Sequence, residues 1–434
     1  MVLTAIRRAV RAWKQYGLVA TLRLVSHRLK SNFDLVRRNT PFSDSVAELY
    51  CDLLQKYNSG EIQGVAVIPS AVEFDELYNQ RTINMAKYLS RKGYGVIYVA
   101  WQWHKGEILQ KNYQYVYKNV IQVPLYDFQE THFQLKMFSG LRNKKYIVTL
   151  PVNIFYDLLF TVKESCFDIY YDIMDDWECF HEAGQAPWYN KNIEEAIVLN
   201  ANRITAVSMP LVRKFSHLRI DIGCIGNGFC SELLGAENIA YPALEEDAGI
   251  NIGYFGHLTD AWFDWQLIFE LLEKHKNIHL SIIGYGEPVE ARKKIQKHNN
   301  ITLIGRAGPR ELHKYVSQWH VAVIPFKKSG LCEAVDPIKI YEYLYFGLPA
   351  VATGIPHLQN YPYVEVADND PELFYNSIVK LYEKRLKKEV DYSVISSFLS
   401  DKTWNKRFGE LFEIDFLSEL YYTERMNNEN PKCI

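Results

Sequence analysis

The sequence predicts an α/β protein built from two doubly wound, Rossmann-like parallel-sheet domains that face a central cleft. Three observations predict it. Short apolar runs of strand length recur along the chain, separated by segments of helical periodicity. The runs are apolar throughout and do not alternate, as strands covered on both faces require. The series breaks once near the middle and then resumes, and 434 residues favour more than one domain.

The first series comprises Val65–Ile68, Val96–Val99, Val120–Val123, Tyr146–Leu150, Phe167–Tyr171 and Ile204–Val207. A helix is predicted from Glu76 to Arg91, with Thr82, Met85, Ala86 and Leu89 on one face and Gly93 as its stop. Gly228 to Ala248 is acidic and weakly periodic, and reads as a linker. The second series comprises Ile252–Phe255, Ile278–Ile283, Ile301–Ile304, Val321–Ile324 and Ala350–Ala352. A last helix, Asp401 to Tyr421, carries Trp404, Phe408, Leu411, Phe412 and Leu417 at helical spacing. Ligands of such sheets sit beyond the carboxyl ends of the strands, so a cleft between the two domains is the natural site.

Composition narrows the function classes. A net charge of -2 gives no global pull toward nucleic acid, and no aromatic stacking pattern accompanies the basic residues. Cys51, Cys166, Cys179, Cys224, Cys230, Cys332 and Cys433 are scattered and form no C-x-x-C pair, which argues against a disulfide framework or a zinc knuckle. No apolar run approaches the roughly 18 residues that span a bilayer, and no secretory leader is evident, so a cytoplasmic location is expected. The exception to neutrality is residues 1–38. Arg7, Arg8, Arg11, Lys14, Arg23, Arg28, Lys30, Arg37 and Arg38 face one acid, Asp34, while Leu3, Ile6, Val10 and Trp13 share a helix side. This pattern fits a helix lying on an anionic membrane surface, and equally a solvated helix packed on the body by its apolar stripe.

The stretch from Asp336 to Pro349 is the most informative. Asp336 suits an N-cap, Pro337 the first helical position and Gly347 the C′ stop, so a helix of about three turns is specified. Asp336, Lys339 and Glu342 mark one face of it. A helix N-terminus with a lysine in its first turn attracts phosphate. Glu342, one turn on, can accept hydrogen bonds from two vicinal hydroxyls, such as those of a ribose. Together they spell a nucleoside diphosphate. The same residues also suit an ordinary capped helix with a Lys–Glu surface pair, worth a few tenths of a kcal/mol.

The segment Ile324-Pro-Phe…Asp336-Pro-Ile-Lys-Ile-Tyr-Glu-Tyr-Leu…Gly347-Leu-Pro-Ala-Val-Ala-Thr353 resembles the nucleotide-sugar-binding half of retaining glycosyltransferases of family 4. The bacterial branch that builds capsules, teichuronic acids and other surface polysaccharides is the most similar. Gly226-Asn-Gly228, Ile252-Gly-Tyr-Phe-Gly256 and Ile301-Thr-Leu-Ile-Gly305, with Glu311, Leu312 and Tyr315, agree in order and spacing. The resemblance covers about residues 60–420, closely in the C-terminal half and less so before it.

That resemblance implies the GT-B architecture, a nucleotide-diphosphate-sugar donor and, as is usual there, retention at the anomeric carbon; taken with the basic residues 1–38, it leads to the expectation of a lipid-linked glycan acceptor at a membrane face. Glu342 then holds the donor ribose, Lys339 neutralises the phosphates, Gly256 lets its loop approach them, and the Gly305–Arg306 turn lies along the base. No metal and no cofactor beyond the donor substrate is expected. The implied division is a basic segment at 1–45, an acceptor-side domain at 46–228, a linker at 229–248 and a nucleotide-sugar domain at 249–400. A helix at 401–421 is expected to pack back on the N-terminal domain, ahead of a tail at 422–434.

The sequence departs from the family pattern in two places. An earlier family glutamate is replaced by Ala334, with Glu333 beside it, and the loop cations after Gly256 are missing. His257, Lys339, Arg306 and Lys327–Lys328 are candidates to compensate. In the N-terminal half, Asp172, Asp175 and Asp176 stand at the end of an apolar strand, and His181 lies nearby. Facing a cleft, the three carboxylates are candidates to touch an acceptor hydroxyl or the donor sugar; Asp175 and Asp176 also suit the N-cap of a following helix. Two other readings share the fold: a sugar-nucleotide epimerase, which needs no acceptor, and a catalytically silent scaffold.

Overall fold

The computed structural model describes residues 42–239 and 249–413. The basic amphipathic segment of residues 1–38, with both of its readings, the end of the last predicted helix and the tail lie outside the described residues.

After helix α1 (Phe42–Asn58), the N-terminal half forms an eight-stranded sheet. Its strands are β1 (Gly64–Ser70), β2 (Tyr94–Ala100), β3 (Gln114–Tyr117), β4 (Val120–Pro124), β5 (Asn143–Val148), β6 (Asp168–Ile173), β7 (Arg203–Ala206) and β8 (Ile222–Cys224). Their order is β3-β4-β2-β1-β5-β6-β7-β8, with β3 alone antiparallel to its neighbour. The second sheet holds β9 (Ile250–His257), β10 (Ile278–Tyr285), β11 (Ile301–Gly305), β12 (Val321–Pro325), β13 (Ala350–Thr353) and β14 (Val364–Val366). Its order is β11-β10-β9-β12-β13-β14, all parallel. Each apolar run of the sequence overlaps one of these strands, with Leu150, Phe167 and Val207 falling just outside β5, β6 and β7. The strands without such a run, β3, β8 and β14, are short and sit at or near sheet edges.

Burial explains the patterning. All seven residues of β1 are buried, with Val65 and Val67 in one apolar core and Ala66 and Ile68 in the other. Period-two alternation therefore puts both sheet faces in cores, which is why the run has no polar member. Each strand order reverses direction once, between β1 and β5 and between β9 and β12. Those reversals open a crevice at the carboxyl ends of the strands.

The helix expected from Glu76 begins instead at Arg81 (α2, Arg81–Arg91). Asp75 is the reason. Its carboxylate accepts the Leu77 N–H at 3.0 Å and its carbonyl accepts the Tyr78 N–H at 3.0 Å, so the chain turns before it can coil.

Helix α3 (Trp177–Glu182) follows β6, and α4 (Ile338–Tyr345) follows β12. The α4 helix is shorter than expected, with Pro337 at its N-cap and no side-chain cap. Gly347, at φ 78°, ends it. Leu348 N–H donates to Tyr343 at 2.9 Å and Gly347 N–H to Leu344 at 2.8 Å, the paired bonds of a glycine C-terminal motif.

The supposed linker is only partly a tether. Phe229 bridges Thr403, and the Asn238 and Ile239 N–H groups donate to the carbonyls of Tyr345 and Phe346. The acidic segment thus docks on α4 before leaving the described residues. The last helix, α5 (Trp404–Glu413), packs Trp404, Phe408 and Leu411 into the core over α2. The chain therefore crosses between domains near Asn227 and returns near Thr403, with the two crossings paired.

Candidate active site

A cleft of about 570 Å³ lies between the two sheets, at the carboxyl ends of β1 and β6 on one side and β9 to β12 on the other. Both strand-order reversals face it. Its size suits one small ligand and part of another.

The C-terminal wall is built around α4. Lys339 lies half-buried between aromatic faces, its Nζ 5.2 Å from the ring centres of Tyr254 and of Phe326. Among the described residues no carboxylate comes within 4.0 Å of it. Burial pushes its pKa down to about 8, with Glu342 acting in the opposite direction. Gly256, the penultimate residue of β9, lies beneath this lysine. At φ 139° it adopts a conformation that favours glycine, and a Cβ there would meet Lys339 Cε at 3.0 Å. The cation is thereby held against the main chain of the β9 loop.

Glu342 is 7% exposed and lines the cleft. Burial raises its pKa, and the Asn79 amide and Lys339 partly offset that. Asn79 belongs to the opposite domain, and its Nδ2 donates to Glu342 Oε1 at 2.7 Å.

His257 packs against Trp262 and Tyr285, with ring centres 5.5 and 5.1 Å away. Burial, Lys339 and Arg306 together hold its pKa below the usual histidine range. Arg306 stacks on Tyr285 at 3.7 Å at the cleft rim. Gly305, at φ 91°, makes that turn but does not line the cleft itself. Lys327 and Lys328 do not replace the missing loop cations: Lys327 pairs with Asp260 and Lys328 with Asp368 at the surface. Glu333 is exposed and outside the cleft, and Ala334 is buried with its carbonyl accepting from Ser208. Neither position supplies the family's earlier carboxylate.

Asp336 does not cap its own helix. Its Oδ2 accepts the Asn227 N–H at 2.5 Å, and both its oxygens accept from Tyr341 at 2.9 Å. A Cβ on Gly226 would meet Asp336 Oδ2 at 2.5 Å, so the glycine admits this close crossing. Asp336 borders the cleft, but its carboxylate faces the interdomain crossing, where burial raises its pKa. It ties α4 to the interdomain crossing.

The three carboxylates of the N-terminal wall separate. Asp172 lies on the sheet face covered by α2, is fully buried, and is gripped by Arg81 and Thr205. It does not reach the cleft. Asp176 caps α3, accepting the Cys179 N–H at 3.0 Å, and pairs with Lys214 at 2.6 Å. Asp175, between them, lines the cleft and makes no hydrogen bond or ion pair among the described residues. Burial, then Asp176, pushes its pKa up to about 7, against Arg81. His181 turns away, its Nδ1 at 2.8 Å from the Ala186 carbonyl. Sequence reasoning missed Asn79, Tyr285 and Trp262. A single asparagine in a loop carries no local signal of a partner 263 positions away.

Residues 250–384 match the family model described as glycosyl transferases group 1. TuaH of Bacillus subtilis (strain 168), named for teichuronic acid biosynthesis, is 26% identical over 191 residues, which is 40% of this chain and 47% of TuaH. The match therefore spans about half the length of that curated relative. Among solved structures, the lipopolysaccharide outer core galactosyltransferase WaaB superposes with a TM-score of 0.56 at 14% identity, over 80% of this chain and 98% of WaaB. The N-terminal domain of Candida albicans trehalose-6-phosphate phosphatase gives 0.58 at 11%, over 82% and 97%. Starch synthase IV of Arabidopsis thaliana gives 0.51 at 11%, over 84% and 98%. These likenesses show the fold, which is GT-B.

Proposed function

We propose that this chain is a glycosyltransferase that moves a sugar from a nucleotide-diphosphate-sugar to a glycan acceptor during synthesis of a cell-surface polysaccharide. One observation carries the reading. Among the described residues, a half-buried lysine without a carboxylate partner sits one turn before a buried glutamate, under a β9 loop opened by Gly256. An unpaired, desolvated cation is costly unless an anion completes it. A diphosphate over Lys339 and the uncapped start of α4, with its ribose on Glu342, does so. The group 1 match over residues 250–384 and the likeness to TuaH support the same assignment.

In this reading the leaving diphosphate is stabilised by Lys339, the α4 N-terminus and Arg306, without a metal. Asp175 faces the transferred sugar or the acceptor hydroxyl. Transfer retains the anomeric configuration, the sugar is a hexose or close relative, and the acceptor is lipid-linked and reached through residues 1–38 on an anionic membrane.

The test is thermal stability against UDP, GDP, dTDP, CDP and CMP. A nucleotide at about 100 times its dissociation constant stabilises the fold by roughly 2.7 kcal/mol. A shift with one nucleoside diphosphate that disappears in Glu342→Ala supports the assignment and names the base. No shift with any of them overturns it.

A further inference from the structure

Glu342 is held by a relay that begins on the last helix. Trp404 Nε1 donates to Asn79 Oδ1 at 2.6 Å, and Asn84 Nδ2 donates to the same oxygen at 3.1 Å. An indole nitrogen can only donate. The atom of Asn79 that faces it must therefore be the carbonyl oxygen, which turns the Asn79 NH2 toward Glu342, 2.7 Å away. Trp404 is itself fixed: it is 3% exposed and stacks on Phe408 at 5.2 Å and 11°. Asn84 is 4% exposed on α2. The start of α5, the loop before α2 and helix α4 thus meet at one carboxylate, and both Asn79 and Glu342 line the cleft.

A buried carboxylate at a ligand site needs one donor to hold its plane and must leave lone pairs for the ligand. With Asn79 on Oε1, Glu342 keeps Oε2 and the second lone pair of Oε1. We propose that Asn79 and Trp404 are positioning residues of the donor pocket: Trp404 sets the Asn79 amide, and the amide presents Glu342 to the vicinal hydroxyls of a nucleotide's ribose. This rests on the donor reading above. It makes the C-terminal helix and the acceptor-side domain part of nucleotide recognition, which the second sheet alone does not complete.

The experiment is calorimetry on the full chain with UDP, GDP, dTDP and CDP. Each ribonucleotide that binds is then compared with its 2′-deoxy counterpart. Asn79→Asp sets two carboxylates against each other and is expected to weaken binding at least about tenfold. Asn79→Ala and Trp404→Phe are expected to weaken it several-fold. All of these variants should lower the preference for ribose over deoxyribose toward that of Glu342→Ala, a readout that loss of packing alone does not move. Ligand-free thermal midpoints report folding; if Trp404→Phe does not fold, the Asn79 variants decide. Tighter binding in Asn79→Ala would make Asn79 a competitor of the ribose and overturn the proposal. So would unchanged affinity and ribose preference in the Asn79 variants while Glu342→Ala loses both; the donor reading then survives alone. If the wild type binds none of the nucleotides, both fail together.

Discussion

Arg81 grips Asp172 with two parallel hydrogen bonds, Nε to Oδ2 at 2.6 Å and Nη2 to Oδ1 at 2.9 Å, where neither side chain meets solvent appreciably. The remaining donors of Arg81 reach the carbonyls of Ile225 and Gly226 at 3.2 and 3.0 Å and Asn227 Oδ1 at 3.3 Å. One ion pair thus joins β6, the start of α2 and the first interdomain crossing. Removing one partner strands a buried charge, which costs about 3–5 kcal/mol. Asp172→Ala is expected to lose that much in urea denaturation. A loss below about 1 kcal/mol would mean that Arg81 finds another acceptor and that the pair does not brace the crossing.

Asp175 behaves oppositely. Its folded pKa of about 7 lies above the ordinary 3.8, so the native chain holds a proton that the unfolded chain has released. Its stability cost grows as pH rises from 3.8 toward 7 and is fully present above. Asp175→Asn should therefore stabilise the protein at pH 8, by at least the roughly 1.4 kcal/mol that one pKa unit represents, and by less at pH 5. Transfer should fall about tenfold to a hundredfold, the worth of a hydrogen bond to a charged group. Equal gains at both pH values would show that the carboxyl is not strained by burial.

Much of this was legible in the sequence, and the misses have a physical cause. Strand runs were readable because both sheet faces are buried, as in β1. Gly347 was readable because its motif is local. Adjacent carboxylates were not separable: Asp172 lies within a strand on the face under α2, Asp175 stands in the loop, and Asp176 caps a helix. Those fates depend on where β6 ends, which spacing does not set to one residue. Asp336 was read as a cap because proline follows it, but a backbone N–H from Asn227 outcompetes its own helix. Asn79 and Trp404 are joined to the site only by the fold.

Lys339 sets a pH dependence on binding. Its folded pKa of about 8 lies below the ordinary 10.5, so the empty cleft loses this charge as pH rises through 8. A diphosphate favours the charged form. Affinity for the nucleoside diphosphate should fall between pH 8 and 9.5, approaching tenfold per pH unit, and Lys339→Met should bind weakly with no such slope. The folding sign is reversed. The unfolded chain keeps the proton up to 10.5, so this group adds stability to the free protein as pH rises from 8. Calorimetry and urea titrations across the range check both slopes.

Gly256→Ala tests the close contact that keeps Lys339 in place. The substitution meets two penalties at once. A side chain at φ 139° is strained, and its Cβ would stand 3.0 Å from Lys339 Cε and 3.1 Å from the Tyr254 hydroxyl. Lysine stems bend more readily than strands, so the sheet should survive and the cation should move. The strain costs about 1–3 kcal/mol of stability. The displaced ammonium leaves its position between Tyr254 and Phe326 and weakens diphosphate binding about tenfold or more, since a charge-assisted bond is worth about 1.5–3 kcal/mol. Binding to the nucleoside without phosphates should change little, because the ribose contact on Glu342 lies a turn away. Equal losses for nucleoside and nucleoside diphosphate would show that the loop supports the whole pocket and not the phosphate site in particular.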